Sequence, residues 1–158
     1  KNELTPSNIP YIERALEVAD LDIEVLRQLA GLVLGSKDRY VDRLELLQLV
    51  YEQGYSDRGV LEFLAESLSQ ANKFDDRSIE IMTRAFEQRV VSKRAILILA
   101  EHCLANDRDD EFAIRVYETY MSTWPDRPQR RIYSILGHQY ATLTRVDDQA
   151  QKLSLIHI

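Results

Sequence analysis

One spacing constrains this chain more than any other property. Leu26, Leu29, Ala30 and Val33 form a short apolar stripe, and the same stripe returns three times. It recurs as Leu61, Leu64, Ala65 and Leu68, then as Ile96, Leu99, Ala100 and Cys103, then as Tyr133, Leu136, Gly137 and Tyr140. The small residues Ala30, Ala65, Ala100 and Gly137 are separated by 35, 35 and 37 positions. A fixed period of this size is the signature of a helical repeat array, in which each unit is too small to bury its apolar face alone. Such an array offers a surface and rarely a catalytic pocket. The expected fold is all-α, a right-handed α-solenoid of antiparallel helix pairs, about four repeats of roughly 35 residues.

The periodicity is helical almost throughout, with no sustained alternation of period two. It predicts a partial helix at 8–19, then pairs at 22–34 with 38–53, 57–70 with 75–90, and 93–105 with 109–124. A last pair joins 129–143 to a truncated helix from about 147. Asp22, Ser56, Ser92 and Asp109 are expected to cap helix starts. The pairs Asp75–Asp76, Asp109–Asp110 and Asp147–Asp148 place negative charge where it complements the helix dipole. Gly35 and Gly54 suit the left-handed conformation just past a helix end. Trp124, Pro125, Asp126, Arg127 and Pro128 stop one helix and start the next. The short connections make successive helices antiparallel neighbours.

Tyr133, Leu136, Gly137 and Tyr140, followed by Ala150, resemble a tetratricopeptide repeat. That family carries an aromatic, a leucine with a small residue, and a second aromatic on its first helix, then a small residue on its second. The preceding units carry Ala113, Tyr117 and Tyr120, then Ser78, Met82 and Ala85, then Leu44, Leu47 and Val50 on their second helices, and Pro125 closes one unit. The resemblance covers residues 8–152, with repeats at 22–55, 56–91, 92–127 and 128–152 and a remnant at 8–19. The pattern departs from the family at Arg43, which stands where a small residue is usual, and in the leading aromatic, which the first three units lack. The small position lets the helices of a hairpin approach closely, and its large neighbours fill the groove between hairpins.

The resemblance implies that the first helices line a concave groove. The residues that would face it are Arg27, Glu62, Phe63, Glu66, Leu97, Ile98, Glu101, Arg131, Ile135 and His138. Phe63, Ile98 and Ile135 would form an apolar ladder flanked by Glu66, Glu101 and His138. An amphipathic peptide or partner helix suits such a groove. The other reading of these apolar residues is that they pack between hairpins. Glu62, Glu66 and Glu101 would repel a terminal carboxylate, so the family's basic carboxylate clamp is not expected here.

The bulk numbers are those of an ordinary soluble chain. Hydrophobic residues make up 45% and charged residues 29%, with a net charge of −6. An acidic chain disfavours nucleic acid, which needs a basic face. Arg127, Arg130 and Arg131 form a local basic spot, read as a solvated face. No apolar run approaches the roughly 20 residues of a membrane span. The single Cys103 excludes an intrachain disulfide; localisation is left as unknown, cytoplasmic by default.

Little points to catalysis. His102 and Cys103 are adjacent, so on a helix they point about 100° apart and cannot pair as base and nucleophile. No Cys/His spacing matches zinc, and the five glycines are too scattered for a phosphate loop. No catalytic residue, metal or cofactor is expected. The leading expectation is a non-catalytic scaffold for a protein or peptide, and a fragment of a larger protein. Alternatives are a regulatory or assembly segment of a multidomain enzyme, and an RNA-binding helical-repeat protein.

Leu153, Ser154, Leu155, Ile156, His157 and Ile158 match the in-frame translation of an adaptor used to prepare sequencing libraries. The expectation is that native sequence stops near Lys152, and that uncapped solenoid ends favour self-association.

Overall fold

Aspartates set where the helices begin. In the computed structural model, which describes residues 7–36, 42–127 and 129–142, five helices start behind an aspartate that accepts a backbone N–H. Asp22 caps α2 (Ile23–Gly35) by accepting from the Glu24 N–H at 2.8 Å. Asp42 caps α3 (Arg43–Glu52), Asp57 caps α4 (Arg58–Gln70), Asp75 caps α5 (Asp76–Glu87) and Asp110 caps α7 (Glu111–Thr123). Each cap satisfies one of the N–H groups a helix start leaves unpaired. Ser92 does the same for α6 (Lys93–Ala105), accepting from the Ala95 N–H at 3.3 Å. The remaining helices are α1 (Ile9–Val18) and α8 (Arg130–Thr142), and no strand occurs among the described residues.

Two expected caps are displaced by one residue, from Ser56 to Asp57 and from Asp109 to Asp110. The residue that wins has a use for its second oxygen. Asp57 also accepts from the Tyr55 hydroxyl at 2.8 Å, and Asp110 from Arg108 Nε at 2.7 Å. Asp75 follows the same rule, accepting from the Ser78 N–H and the Ser78 hydroxyl. The helix expected from 38 begins at Arg43; 37–41 lie outside the described residues, as do Asp147 and the helix expected after it.

Four helices end alike. Gly54, Asn72, Arg89 and Asp107 each stand two residues beyond a helix, with φ of +93°, +52°, +59° and +52°. At each end two backbone bonds close the Schellman pattern. After α5, for example, the Arg89 N–H donates to the Phe86 carbonyl and the Val90 N–H to the Ala85 carbonyl. Gly35 differs from expectation. It is the last residue of α2, and the chain leaves through Ser36 with extended backbone, so no left-handed residue is needed there.

By contact the chain divides into two compact units, Lys1–Ala95 and Ile96–Ile158, with the division inside the first turn of α6. In the first unit α2 packs on α3 and α4, α3 on α4, α4 on α5, and α1 on α3. Leu61, Leu64, Ala65 and Leu68 of α4 are fully buried, and Leu26, Ala30 and Val33 of α2 nearly so. Each such leucine contributes about 1.5–3 kcal/mol of transfer free energy. Polar bonds fix the ends. Gln53 donates from its amide to the Leu16 carbonyl at 2.7 Å, and the Tyr51 hydroxyl donates to Glu80 at 3.1 Å. In the second unit α7 packs on α8, and the core holds Leu99, Ala100, Cys103, Ala113, Tyr117, Tyr120, Ile132 and Leu136.

The first helices of the expected pairs are α2, α4, α6 and α8. Each has 13 residues, and their starts are 35, 35 and 37 residues apart. Each buries residues of the stripe that the sequence repeats.

Candidate functional site

The residues expected to face a partner lie on these four helices. On α2, Arg27 is exposed, and its guanidinium donates twice to Glu24, at 2.6 and 2.9 Å. Those hydrogen bonds hold the Glu24 carboxyl below its ordinary value and raise the guanidinium above its own. The pair is therefore neutral as a unit. On α4, Glu62 is exposed, while Phe63 and Glu66 are half-buried. Glu66 accepts from the Gln70 amide at 2.6 Å, one turn on.

Arg43 explains what covers Phe63. Its guanidinium carbon stands 5.0 Å from the Phe63 ring centroid, within cation–π range, and its Nη1 reaches the Ser36 carbonyl at 3.5 Å. A residue that breaks the small-residue pattern is thus half-buried, with its charge lodged against an aromatic face.

In the second unit, Leu97 and Ile135 are half-buried and Glu101 and His138 are exposed. Ile98 is 3% exposed and offers no open apolar surface. Its environment thus differs from that of the half-buried Phe63 and Ile135, which share its repeat position. Arg131 forms an ion pair with Asp107.

That ion pair has a counterpart in the first unit that the sequence reading missed. Arg94, second residue of α6, donates to the Ser69 carbonyl at 2.8 Å and to Asn72 Oδ1 at 2.6 Å. Arg131 is second in α8, and Asp107 is the left-handed residue after α6, as Asn72 is after α4. The recurring signal was an arginine one residue into a helix, about 22–24 positions after a polar turn residue.

A cleft of about 470 Å³ lies between α7 and α8, lined by Asp109, Glu111, Ile114, Arg115, Glu118, Gln139 and Tyr140. Its acids on α7 are in part structural: Glu111 lies in the first turn and Glu118 accepts from the Tyr140 hydroxyl.

Cys103 and Tyr117 are titratable groups in the core of the second unit. Cys103 is buried, and burial pushes its thiol up, which suppresses the nucleophilic thiolate. Neighbouring His102 is half-buried, with its backbone carbonyl and ring close to the Asn106 amide. Tyr117 is fully buried, its hydroxyl donates to the Arg108 carbonyl at 3.0 Å, and burial pushes it up to about 12. No group of three His, Cys, Asp or Glu among the described residues could hold a metal ion. No helix among them is long and apolar enough to cross a membrane.

Compared with known proteins, the chain matches no family model, no curated protein and no solved structure.

Proposed function

We propose that this chain is a non-catalytic protein-interaction scaffold: a right-handed α-solenoid of tetratricopeptide-like hairpins, about four repeats long, that takes a peptide or partner helix on the exposed faces of its first helices. The observation that carries the reading is the recurrence of one helix. Four helices of equal length start at intervals of 35, 35 and 37 residues and bury the same stripe. A hairpin of that size buries its apolar face by stacking on its neighbours, and the faces left outward repeat at the same interval. Repetition of an exposed face suits an extended ligand better than a small substrate. The buried, raised thiol of Cys103 and the ion-paired or capping state of many charged groups support a binding role over a catalytic one.

Peptides selected by display against the full chain, followed by amide chemical-shift mapping, test the reading. Shifts are expected at Arg27, Glu62 and Phe63, or at Glu101, Arg131 and His138. Shifts confined to α3, α5 and α7 would overturn it.

A further inference from the structure

We propose that the exposed face carried by α2 and α4 seats a basic amphipathic helix, packed closely over Gly31 and paired in charge with Glu62 and Glu66. The inference rests on the scaffold reading and adds the chemistry of the partner.

Gly31 is the starting point. It lies in the interior of α2, is exposed, and a Cβ built on it meets nothing within 4 Å. Glycine disfavours a helix interior relative to alanine, because it loses more backbone freedom on folding. Packing accounts for Gly59 on α4, where a Cβ would stand 3.3 Å from Leu34 Cδ1 of α2. No such neighbour accounts for Gly31. The missing side chain leaves backbone accessible at the middle of an outward face, which admits a close approach by another helix.

The charge on the adjoining helix gives the sign of that helix. Glu62 and Glu66 are one turn apart on α4, which packs on α2, and position 66 repeats position 31 at the 35-residue interval. The Glu62 carboxylate has no ion pair or hydrogen bond among the described residues, and the Glu66 carboxylate accepts from the neutral Gln70 amide. None of the nearby cations pairs with these carboxylates among the described residues. Arg27 is neutralised by Glu24, Arg43 is stacked on Phe63, and exposed Arg58 makes no ion pair with Glu62 among the described residues. Two uncompensated carboxylates one turn apart match two lysines at i and i+4 on a partner helix. Phe63 beside them keeps only the ring surface that the Arg43 guanidinium leaves uncovered, and that part meets the residues between those lysines.

The test uses the full chain and two labelled helical peptides of about 18 residues, long enough to hold helix in part. Both carry alanine and leucine on one face; one has lysines at i and i+4, the other glutamates. Fluorescence anisotropy is expected to show the lysine peptide binding at least roughly tenfold more tightly. Gly31→Ala is expected to raise the Tm of the free protein while weakening the lysine peptide roughly tenfold, since the added Cβ is harmless inside and obstructive outside. Glu62→Gln with Glu66→Gln should weaken the same peptide and leave Tm unchanged. Failure of the lysine peptide to bind overturns the proposal. Equal binding of both peptides overturns the basic partner while leaving a scaffold. Unchanged affinity in Gly31→Ala, or a lowered Tm, overturns the close approach.

Discussion

Arg94 and Asn72 meet across the α4–α6 turn region: the guanidinium donates to Asn72 Oδ1 at 2.6 Å while its Nε reaches the Ser69 carbonyl at 2.8 Å. One side chain thus binds both the last turn of α4 and the left-handed residue that ends it. A cation at a helix C-terminus is favoured by the unpaired carbonyls there. Both partners are largely exposed, which limits the gain. Arg94→Ala is expected to cost about 1 kcal/mol in urea denaturation. Arg94→Lys should recover only part of that, because an ammonium lacks the planar fork that spans two acceptors. A neutral Arg94→Ala would mean the contact contributes nothing to folding.

Glycine substitutions separate conformational need from free space. Gly31→Ala should stabilise by about 0.5–1 kcal/mol, since the site is helical and the new methyl meets nothing. Gly54→Ala should destabilise by about 1 kcal/mol, because φ is +93° although space is open. Thermal melts of the two variants should move in opposite directions; movement in the same direction would contradict the backbone assignment at one of them.

Ala65 is fully buried and Ala100 is 1% exposed, each at the small position of the stripe that recurs in the sequence. Ala65→Leu and Ala100→Leu are expected to overpack the core around them at a cost of about 1–3 kcal/mol each. Denaturant midpoints measure this directly. A neutral result at both would place the close helix contact elsewhere on the helix.

Asp110 supplies a pH dependence whose sign follows from its bonds. The Arg108 guanidinium and the N–H groups at the start of α7 hold its carboxyl below the ordinary value. A carboxyl depressed in the folded state adds stability above its unfolded value of about 3.9. That stability is lost as pH falls through the folded value. The stability gap between wild type and Asp110→Asn should therefore be open at pH 6 and close progressively below about pH 4. A gap that is constant from pH 6 to pH 2 would refute the linkage.

The sequence displayed the buried stripe well, because it depends on a side-chain period that every helix turn repeats. Leu61, Leu64, Ala65 and Leu68 needed no tertiary information to be placed inside. Most helix starts were legible to within a residue, the exceptions being α3, expected from 38 and starting at Arg43, and α7, expected from 109 and starting at Glu111. Ser56 and Asp57 are both able caps, and the choice turned on Tyr55, a third residue. Left-handed ends were legible only where glycine marks them. Arg89 carries the same φ as Asn72 and Asp107 within a few degrees, yet arginine gives no local signal of it. The exposed face was least legible. Ile98 and Phe63 share a repeat position, but one is buried and the other half-buried beneath Arg43. Arg43, which stands over Phe63, lies 20 positions earlier on another helix, so the sequence around Phe63 gives no sign of it.

The four left-handed ends have a dynamic consequence. The N–H groups of Tyr55, Lys73, Val90 and Arg108 lie outside the helices but are bonded to carbonyls five residues back, inside the last helical turn. An amide there reaches solvent deuterium only when that turn opens. In hydrogen exchange these four positions should fall into the same protection class as the helix residues they hold, so that each turn belongs to the opening unit of the preceding helix.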